Sequence, residues 1–231
     1  MYYFYFLKTI IELFYLLFYN YLGDNMKINN PKIKNTFDTT FQKSIDNNIF
    51  YNMNITNTEE NIILNDMTLD SSIFNSINFT NYNIQNIDII DSIFNNCDLS
   101  NINFKNKYLK RIVFKNCKLL GTNFNESNFS DIELINCTCK YISFNNAKIN
   151  NIIFNNCNLE ESTFMETNIK NIEFNNCNLK KSDFYNTNLC GIDLSNSNIE
   201  GIRININNLK NTKINIEQVI MICNMLDIEV V

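Results

Sequence analysis

Residues 150–189 read NNIIFNNCNLEESTFMETNIKNIEFNNCNLKKSDFYNTNL, and the two halves of this stretch, 150–169 and 170–189, match at twelve of twenty places. Each half carries an apolar residue at every fifth position. This pattern extends from Leu64 to Ile214, where thirty-one successive fifth positions are apolar and Cys139 is the weakest member. With 45% hydrophobic residues in the chain, chance would produce such a run with a probability of about 10^-11, so the sequence is a repeat.

A period of five fits neither the 3.6 residues of a helical turn nor the two-residue alternation of a flat strand. It fits a chain that turns a corner after every five residues. Two residues before most apolar centres stands a small or aliphatic side chain, as at Ser92, Cys97 and Ile102. In an extended segment, residues i−2 and i point to the same side. Each pentapeptide is therefore predicted to form one face of a tube, with two side chains inside and three outside.

A longer period sets the number of faces. Two inward columns recur every twenty residues, at Cys97, Cys117, Cys137, Cys157 and Cys177 and at Ile112, Ile132, Ile152, Ile172 and Ile192. Twenty residues per coil at five per face predict a four-sided coil. Successive coils are expected to stack at the strand spacing of about 4.8 Å.

These repeats resemble the pentapeptide-repeat family, whose A(D/N)Lxx units appear here as CNLEE, CNLKK, SDFYN, TNLCG and IDLSN. The resemblance implies an all-β fold, a right-handed quadrilateral β-helix. We predict that a short C-terminal α-helix follows it. The expected organisation is an apolar extension over 1–25, an irregular N-terminal cap over 26–60, the β-helix over 61–214 and a capping and dimerisation segment over 215–231.

The composition offers one alternative to a packed fold. Asn makes up about one residue in five, with no Trp or His, as in disordered, aggregation-prone tracts. The unbroken two-position apolar pattern argues against that interpretation. We interpret the cysteine column as small buried hydrophobes rather than disulfides. Cys137-Thr138-Cys139 lacks the spacing and the His of a zinc site, and unpaired thiols fit a reducing cytoplasm.

The sequence predicts no enzyme, no cofactor and no metal site. It has no His to act as a general base, and no Gly-rich phosphate loop or nucleophile elbow. Charges alternate in sign one coil apart along two outward columns, Lys140, Glu160, Lys180 and Glu200 in the first and Glu161 and Lys181 in the second. Such columns predict surface ion pairs worth up to about 1 kcal/mol each.

After Ile214 the fivefold pattern stops and a helical spacing begins. One stripe of the predicted helix carries Ile216, Val219, Ile220, Cys223 and Leu226. We expect this stripe to be buried as the cap of the open coil end. The remaining apolar surface, Met221, Ile222, Met225 and the tail from Ile228, is expected to contact a symmetric partner.

The ending of the chain narrows the resemblance. Residues 191–231, GIDLSNSNIEGIRININNLKNTKINIEQVIMICNMLDIEVV, resemble the ending of Qnr-type quinolone-resistance proteins of this family. The matching residues are Gly191 to Ser195, Ile199 to Ile202, Leu209, Lys210, Gln218, Leu226 and Ile228. Asn211 and Asp227 replace two turn glycines of the family, and both residue types tolerate left-handed backbone.

The resemblance implies a cytoplasmic homodimer, joined through its C-terminal module, that binds DNA gyrase or topoisomerase IV. The rod would imitate duplex DNA and protect the enzyme from fluoroquinolones, without itself binding nucleic acid. A DNA mimic needs acidic faces, yet the net charge is only −5 and a basic stretch comprises Lys105, Lys107, Lys110, Arg111, Lys115 and Lys118. The alternative is a general interaction scaffold with another partner.

Two further features stay open in the sequence. Lys107 stands at an inward position and suggests a local bulge, although the fivefold register never breaks. Residues 1–22, MYYFYFLKTIIELFYLLFYNYL, are long enough to span a bilayer, but Lys8 and Glu12 would be costly there. Three interpretations of this extension remain: translation that starts at Met26, a membrane anchor, or a peripheral amphipathic helix. A membrane partner is expected only if residues 1–22 are translated.

Overall fold

The computed structural model describes residues 26–47, 50–56, 62–225 and 227–229. Its strands are β1 (Phe37–Thr39), β2 (Met53–Ile55), β3 (Ile63–Asp70), β4 (Ile73–Asn75), β5 (Asn83–Asn95), β6 (Tyr108–Lys115), β7 (Asn128–Ile135), β8 (Lys148–Ile149), β9 (Ile152–Asn155), β10 (Asn168–Ile169) and β11 (Ile172–Asn175). The α-helices are α1 (Phe41–Asn47) and α2 (Ile216–Met225), and short 3-10 helices span Phe79–Asn81 and Ile206–Asn208.

From β3 onward, each strand pairs in parallel with residues twenty positions further along the chain, as in Ile89 with Leu109. Isolated bridges carry this register on to Asp193 and Lys213. The corners are left-handed, with φ of 53–54° at the corner asparagines 96, 116 and 136. Asn adopts left-handed backbone more readily than most residues. The coil can therefore form its corners although the chain has only four glycines. The structure confirms the predicted right-handed quadrilateral β-helix, with about seven turns.

Phenylalanines fill two opposite faces of the lumen. The ring of Phe164 stacks between those of Phe144 and Phe184, with centroids 4.9 and 4.6 Å away. From the opposite face, Phe154 and Phe174 meet it edge-on. Stacked and edge-on pairs are the geometries that aromatic rings prefer. All five side chains are at most 1% exposed, and a void in the N-terminal half of the lumen measures only about 10 Å³.

The second inward position holds hydrogen-bond donors. The thiol of Cys117 donates to the carbonyl of Phe94 in the preceding coil at 3.3 Å, and the hydroxyl of Ser127 donates to that of Phe104 at 2.6 Å. Burial raises the pKa of the Cys177 thiol to about 12, so this thiol remains a donor at neutral pH. All eight cysteines lie in the described part of the chain as free thiols. The cysteine column therefore satisfies carbonyl groups as well as filling space.

Residues 37–47 and 50–55 are more regular than the predicted irregular cap. Strand β1 pairs in parallel with β2, and β2 pairs with β4. These pairings are offset by sixteen and nineteen residues instead of twenty, so the fivefold periodicity gave no sign of them. Helix α1 lies between β1 and β2 in the chain, and its fully buried Phe41 stacks on Phe74 with ring centroids 5.7 Å apart. An aromatic side chain thus closes the N-terminal end of the lumen.

Residues 26–36, which we call the cover segment, run along the outside of the coil. Three hydrogen bonds hold the segment there: Met26 N–H to Glu173 at 2.6 Å, the Asn29 side-chain amide to Asp131 at 2.9 Å, and Lys32 N–H to Asp91 at 2.7 Å. The three carboxylates belong to different coils. The cover segment therefore crosses the strands of one outer face.

The predicted bulge at Lys107 is not formed. Strand β6, which begins at the next residue, keeps the twenty-residue register with both β5 and β7, so no residue is inserted. The Lys107 ammonium donates to the exposed side chain of Asn86 in the preceding coil. The long Lys107 side chain thus places its charge outside the lumen, so the twenty-residue strand register is kept.

The apolar extension over residues 1–25 lies outside the described residues. Within the ranges that the structure describes, no helix is both long enough and apolar enough to cross a membrane.

Candidate interaction site

The C-terminal helix is positioned by a reciprocal cap. The Asn215 side chain accepts a hydrogen bond from the Gln218 N–H at 2.9 Å, and the Gln218 side chain accepts one from the Asn215 N–H at 2.9 Å. This arrangement satisfies two backbone donors at the point where α2 begins. The spacing of Asn215 and Gln218 was present in the sequence as a capping signature, but the periodicity alone did not single it out.

Gln218 also fastens the helix to the last coils. Its amide donates to the carbonyls of Leu194 and Ser197 at 2.8 and 2.7 Å, and the residue is only 3% exposed. An open β-helix end leaves backbone groups without a next coil to pair with. Gln218 supplies donors to two of these groups, and Ile222, one helical turn later, is buried beside it.

The burial of α2 differs from the prediction on both faces, although Met225, also predicted to face a partner, is exposed. The predicted buried stripe is largely exposed: Ile216 is 77% exposed, and Val219 and Ile220 are exposed as well. Met221 and Ile222, predicted to face a partner, pack against the core instead. The reason is hydrogen bonding: Gln218 lies on the face of Met221 and Ile222, and its amide donates to the Leu194 and Ser197 carbonyls at the coil end. Apolar periodicity could not show this requirement.

The remaining residues of the predicted site lie around this stripe. Cys223 is half-buried and Ile228 is exposed, while Leu226 lies outside the described residues. Past the helix, Ile228 N–H donates to the Cys223 carbonyl at 3.0 Å. The substituted turn residues Asn211 and Asp227 adopt φ of 59° and 56°, so both take the left-handed geometry expected of them.

A groove of about 330 Å³ opens between α2 and the preceding coil. Its lining includes Tyr185, Arg203, Ile206, Ile222 and Met225. Arg203 lies over the Tyr185 ring at 4.9 Å from the centroid and pairs with Asp183 at 3.0 Å. The groove therefore lies on the Ile222 and Met225 side of α2, away from the exposed stripe of Ile216, Val219 and Ile220.

Ion pairs join neighbouring coils along the outer faces. In the described residues they are Lys105–Glu126, Arg111–Asp91, Lys118–Asp98, Lys140–Glu160, Lys180–Glu200, Arg203–Asp183 and Lys213–Asp193. Two predicted pairs of the first charged column are present, whereas the described structure forms none between Glu161 and Lys181. Much of the basic stretch, including Lys105, Arg111 and Lys118, is therefore neutralised by an adjacent coil.

Within the described ranges, no group of three or more Cys, Asp or Glu side chains is placed to hold a metal ion. Neither the burial and anchoring role of Gln218 nor the docking of the cover segment was predicted. Gln218 had a detectable signal in the capping pattern, but the cover segment had none, because its partners are more than fifty residues away in the chain.

Comparison with solved structures finds the same architecture. Full-length QnrB1, a plasmid-mediated fluoroquinolone resistance protein, is 19% identical; the match covers 78% of this chain and 93% of QnrB1, with a TM-score of 0.51. HetL, a pentapeptide repeat protein involved in heterocyst differentiation regulation from the cyanobacterium Nostoc sp. strain PCC 7120, is 13% identical over 71% of this chain and 88% of HetL, with a TM-score of 0.36. At 19% identity the likeness to QnrB1 concerns the fold alone.

No curated protein matches the chain. A family model described as a pentapeptide repeat region matches residues 87–164 and 143–214, which together make up more than half of the sequence. The matched region coincides with the coils whose lumen, corners and twenty-residue register are described above. The chain therefore belongs to the pentapeptide-repeat family.

Proposed function

We propose that this protein is a non-enzymatic, dimeric interaction protein of the cytoplasm that binds a type II topoisomerase, DNA gyrase or topoisomerase IV, as a rod shaped like duplex DNA. Protection of that enzyme from fluoroquinolones is part of the proposal. The observation that carries it is the C-terminal end of the rod. Residues 191–231 resemble Qnr-type endings, and the described residues among them fold into a capped end that leaves an apolar stripe exposed.

The exposed stripe supports the dimer. Ile216, Val219 and Ile220 lie on one side of a helix whose other side is held by Gln218. Contiguous apolar surface of this kind marks protein interaction sites. Because one helix stripe is compact and self-complementary, a two-fold partner that presents the same stripe is the simplest occupant.

The charge pattern specifies how the rod would be recognised. Ion pairs between coils neutralise many outward charges, so the long-range field is modest for a net charge of −5. Shape and the many outward Asn side chains then provide most of the recognition. We therefore expect the complex to lose less affinity with added salt than a topoisomerase–DNA complex, which depends on phosphate contacts.

The decisive experiment measures oligomeric state and gyrase binding together. Light scattering gives the mass in solution, immobilised protein is tested for gyrase capture, and supercoiling is assayed with and without ciprofloxacin. We expect a dimer that captures gyrase and relieves ciprofloxacin inhibition or inhibits supercoiling itself. A dimer that neither captures gyrase nor changes supercoiling would refute the topoisomerase partner and leave a scaffold with another partner.

A matched pair of variants assigns the dimer surface. Ile220→Glu places a charge on the exposed stripe, whereas Ile63→Glu makes the same change at another exposed isoleucine, in β3. We expect Ile220→Glu to be monomeric and Ile63→Glu to remain a dimer. A dimeric Ile220→Glu would contradict the assignment of the stripe.

A further inference from the structure

The cover segment contacts the coil through side chains spaced two or three residues apart. Its half-buried residues are Met26, Ile28, Pro31, Ile33 and Thr36, whereas its three lysines, Lys27, Lys32 and Lys34, are exposed. The six steps of an extended chain from residue 26 to residue 32 span about 20 Å. The interval from Glu173 to Asp91 is about four coils, or about 20 Å at strand spacing. An extended peptide therefore matches the repeat of this face.

The face beneath the cover segment combines aliphatic and acidic side chains. Its outward column contains Ile93, Val113, Glu133, Ile153 and Glu173. Ile153 is 7% exposed although its position points outward. The coils on either side of Ile153 supply two carboxylates that bond the cover segment, Asp131 and Glu173, so the segment crosses the face at the level of Ile153.

Two carboxylates of this face are buried hydrogen-bond acceptors. Asp91 and Asp131 are 6% and 5% exposed. Burial acts to raise the pKa of Asp91, but hydrogen bonds from the Arg111 side chain and the Lys32 N–H outweigh it, and the net shift is downward. Asp131 shows the same balance, with Asn29 as its main donor. Both groups are therefore ionised at neutral pH and bond donors of the cover segment.

The attachment is sparse enough to open. Three hydrogen bonds hold the cover segment, and in the described ranges no backbone-to-backbone bond joins it to a coil. Segments with few buried contacts open at low free energy. Opening would also reverse the charge of the face, since the docked segment presents lysines and the bare face presents carboxylates.

We propose that this outer face is a binding groove for an extended, lysine-bearing peptide, occupied in cis by the cover segment as a displaceable cover. The groove recognises apolar side chains two or three residues apart, as at Met26, Ile28, Pro31 and Ile33, and N–H donors that reach Asp91, Asp131 and Glu173. Tethering next to β1 gives the cover segment a high effective concentration, which for short links is in the millimolar range. A partner in trans must compete with it.

The test uses a fluorescein-labelled peptide of residues 26–36 and the full chain, with binding followed by fluorescence anisotropy. The release variant Ile28→Asp/Ile33→Asp removes the apolar anchors of the cover. Its matched control, Asn30→Asp/Asn35→Asp, adds the same charge at exposed positions of the same segment. We expect the release variant to bind the peptide at least tenfold more tightly than the wild type or the control. Equal affinity of all three proteins would overturn the proposal.

Changes in the groove complete this test. In the release variant, Asp131→Lys should abolish peptide binding and the milder Glu173→Gln should weaken it several-fold. Glu161→Lys, on a different outward column, should leave it unchanged. Peptide binding that survives both groove changes would overturn the proposal, even if one of these variants folded poorly.

A direct optical reading is available because the chain contains no Trp. Ile28→Trp places a single tryptophan in the cover segment. Its emission should lie at shorter wavelength in the otherwise unchanged chain and move to longer wavelength when Asp131→Lys is added. Emission that is already fully solvent-exposed without Asp131→Lys would overturn a docked cover.

A role of the groove in topoisomerase binding rests on the proposed function. Gyrase capture tests this role separately from peptide binding. Release of the cover exposes an acidic face, so the release variant should capture more gyrase than the control. If the release variant binds the peptide but captures no gyrase, the groove proposal stands and the proposal of a topoisomerase partner is refuted.

Discussion

Gln218→Leu is expected to loosen the C-terminal end of the rod. The change keeps side-chain size similar but removes the donors to Leu194 and Ser197 and the acceptor for the Asn215 N–H. The Leu194 carbonyl retains the Ser197 N–H at 3.0 Å, so its loss is about 1 kcal/mol, the net value of one hydrogen bond. The other two groups lose their partners at a cost of about 1 kcal/mol each.

The sum, about 3 kcal/mol, converts to about 160-fold faster opening of α2 at 1.36 kcal/mol per factor of ten. Hydrogen exchange by mass spectrometry measures this directly. We expect acceleration in α2 and the last coil, while β3 to β5 exchange as before, since coils of a solenoid transmit stability mainly to their neighbours.

The exposed neighbour Glu217 provides the control. Glu217→Gln should change the opening free energy by less than about 0.5 kcal/mol. Wild-type exchange rates in Gln218→Leu, or acceleration spread evenly to β3, would refute the conclusion that Gln218 anchors the end of the rod.

Three further predictions concern the coil itself. The Ser162 hydroxyl is buried with no hydrogen-bond partner in the described structure, so Ser162→Ala should raise the free energy of unfolding by about 1 kcal/mol, whereas Ser127→Ala should lower it by about 1 kcal/mol; urea denaturation measures both. Burial raises the pKa of Glu133. Its folded pKa lies above the unfolded value of about 4.3, so stability falls as pH rises through this interval, and Glu133→Gln should stabilise more at pH 7 than at pH 4 in thermal melts. Phe164→Ala should cost about 4 kcal/mol in urea denaturation, because the Phe164 ring stacks between two others at 4.9 and 4.6 Å.

Each of these has a clear contrary result. A loss of stability in Ser162→Ala equal to that in Ser127→Ala would mean that the Ser162 hydroxyl has a partner. A stabilisation by Glu133→Gln that does not change with pH would show that the folded pKa of Glu133 is not raised. A cost below about 1 kcal/mol for Phe164→Ala would contradict a close-packed lumen.

Much of the fold could be predicted because, in a solenoid, residues at equivalent positions of the sequence repeat have equivalent surroundings in the structure. Each fifth residue from Leu64 to Ile214 has the same surroundings as its neighbours one coil away, so local sequence reports tertiary position. The same argument failed at Lys107, where a flexible side chain spared the register. It also failed at residues 37–55, where the offsets between paired strands are sixteen and nineteen residues and no period exists to detect.

The sequence by itself determined the four-sided coil, its filled lumen and the existence of a C-terminal helix, because these depend on apolar spacing alone. Only the tertiary structure decided which side of α2 is buried, since carbonyls at the coil end accept hydrogen bonds from Gln218, which lies on the opposite side from the more apolar stripe. It also decided the position of the cover segment, whose partners Asp91, Asp131 and Glu173 are separated in the chain. Neither feature could be predicted from periodicity, because hydrogen bonding at the end of a coil and contacts between distant segments produce no repeating pattern in the sequence.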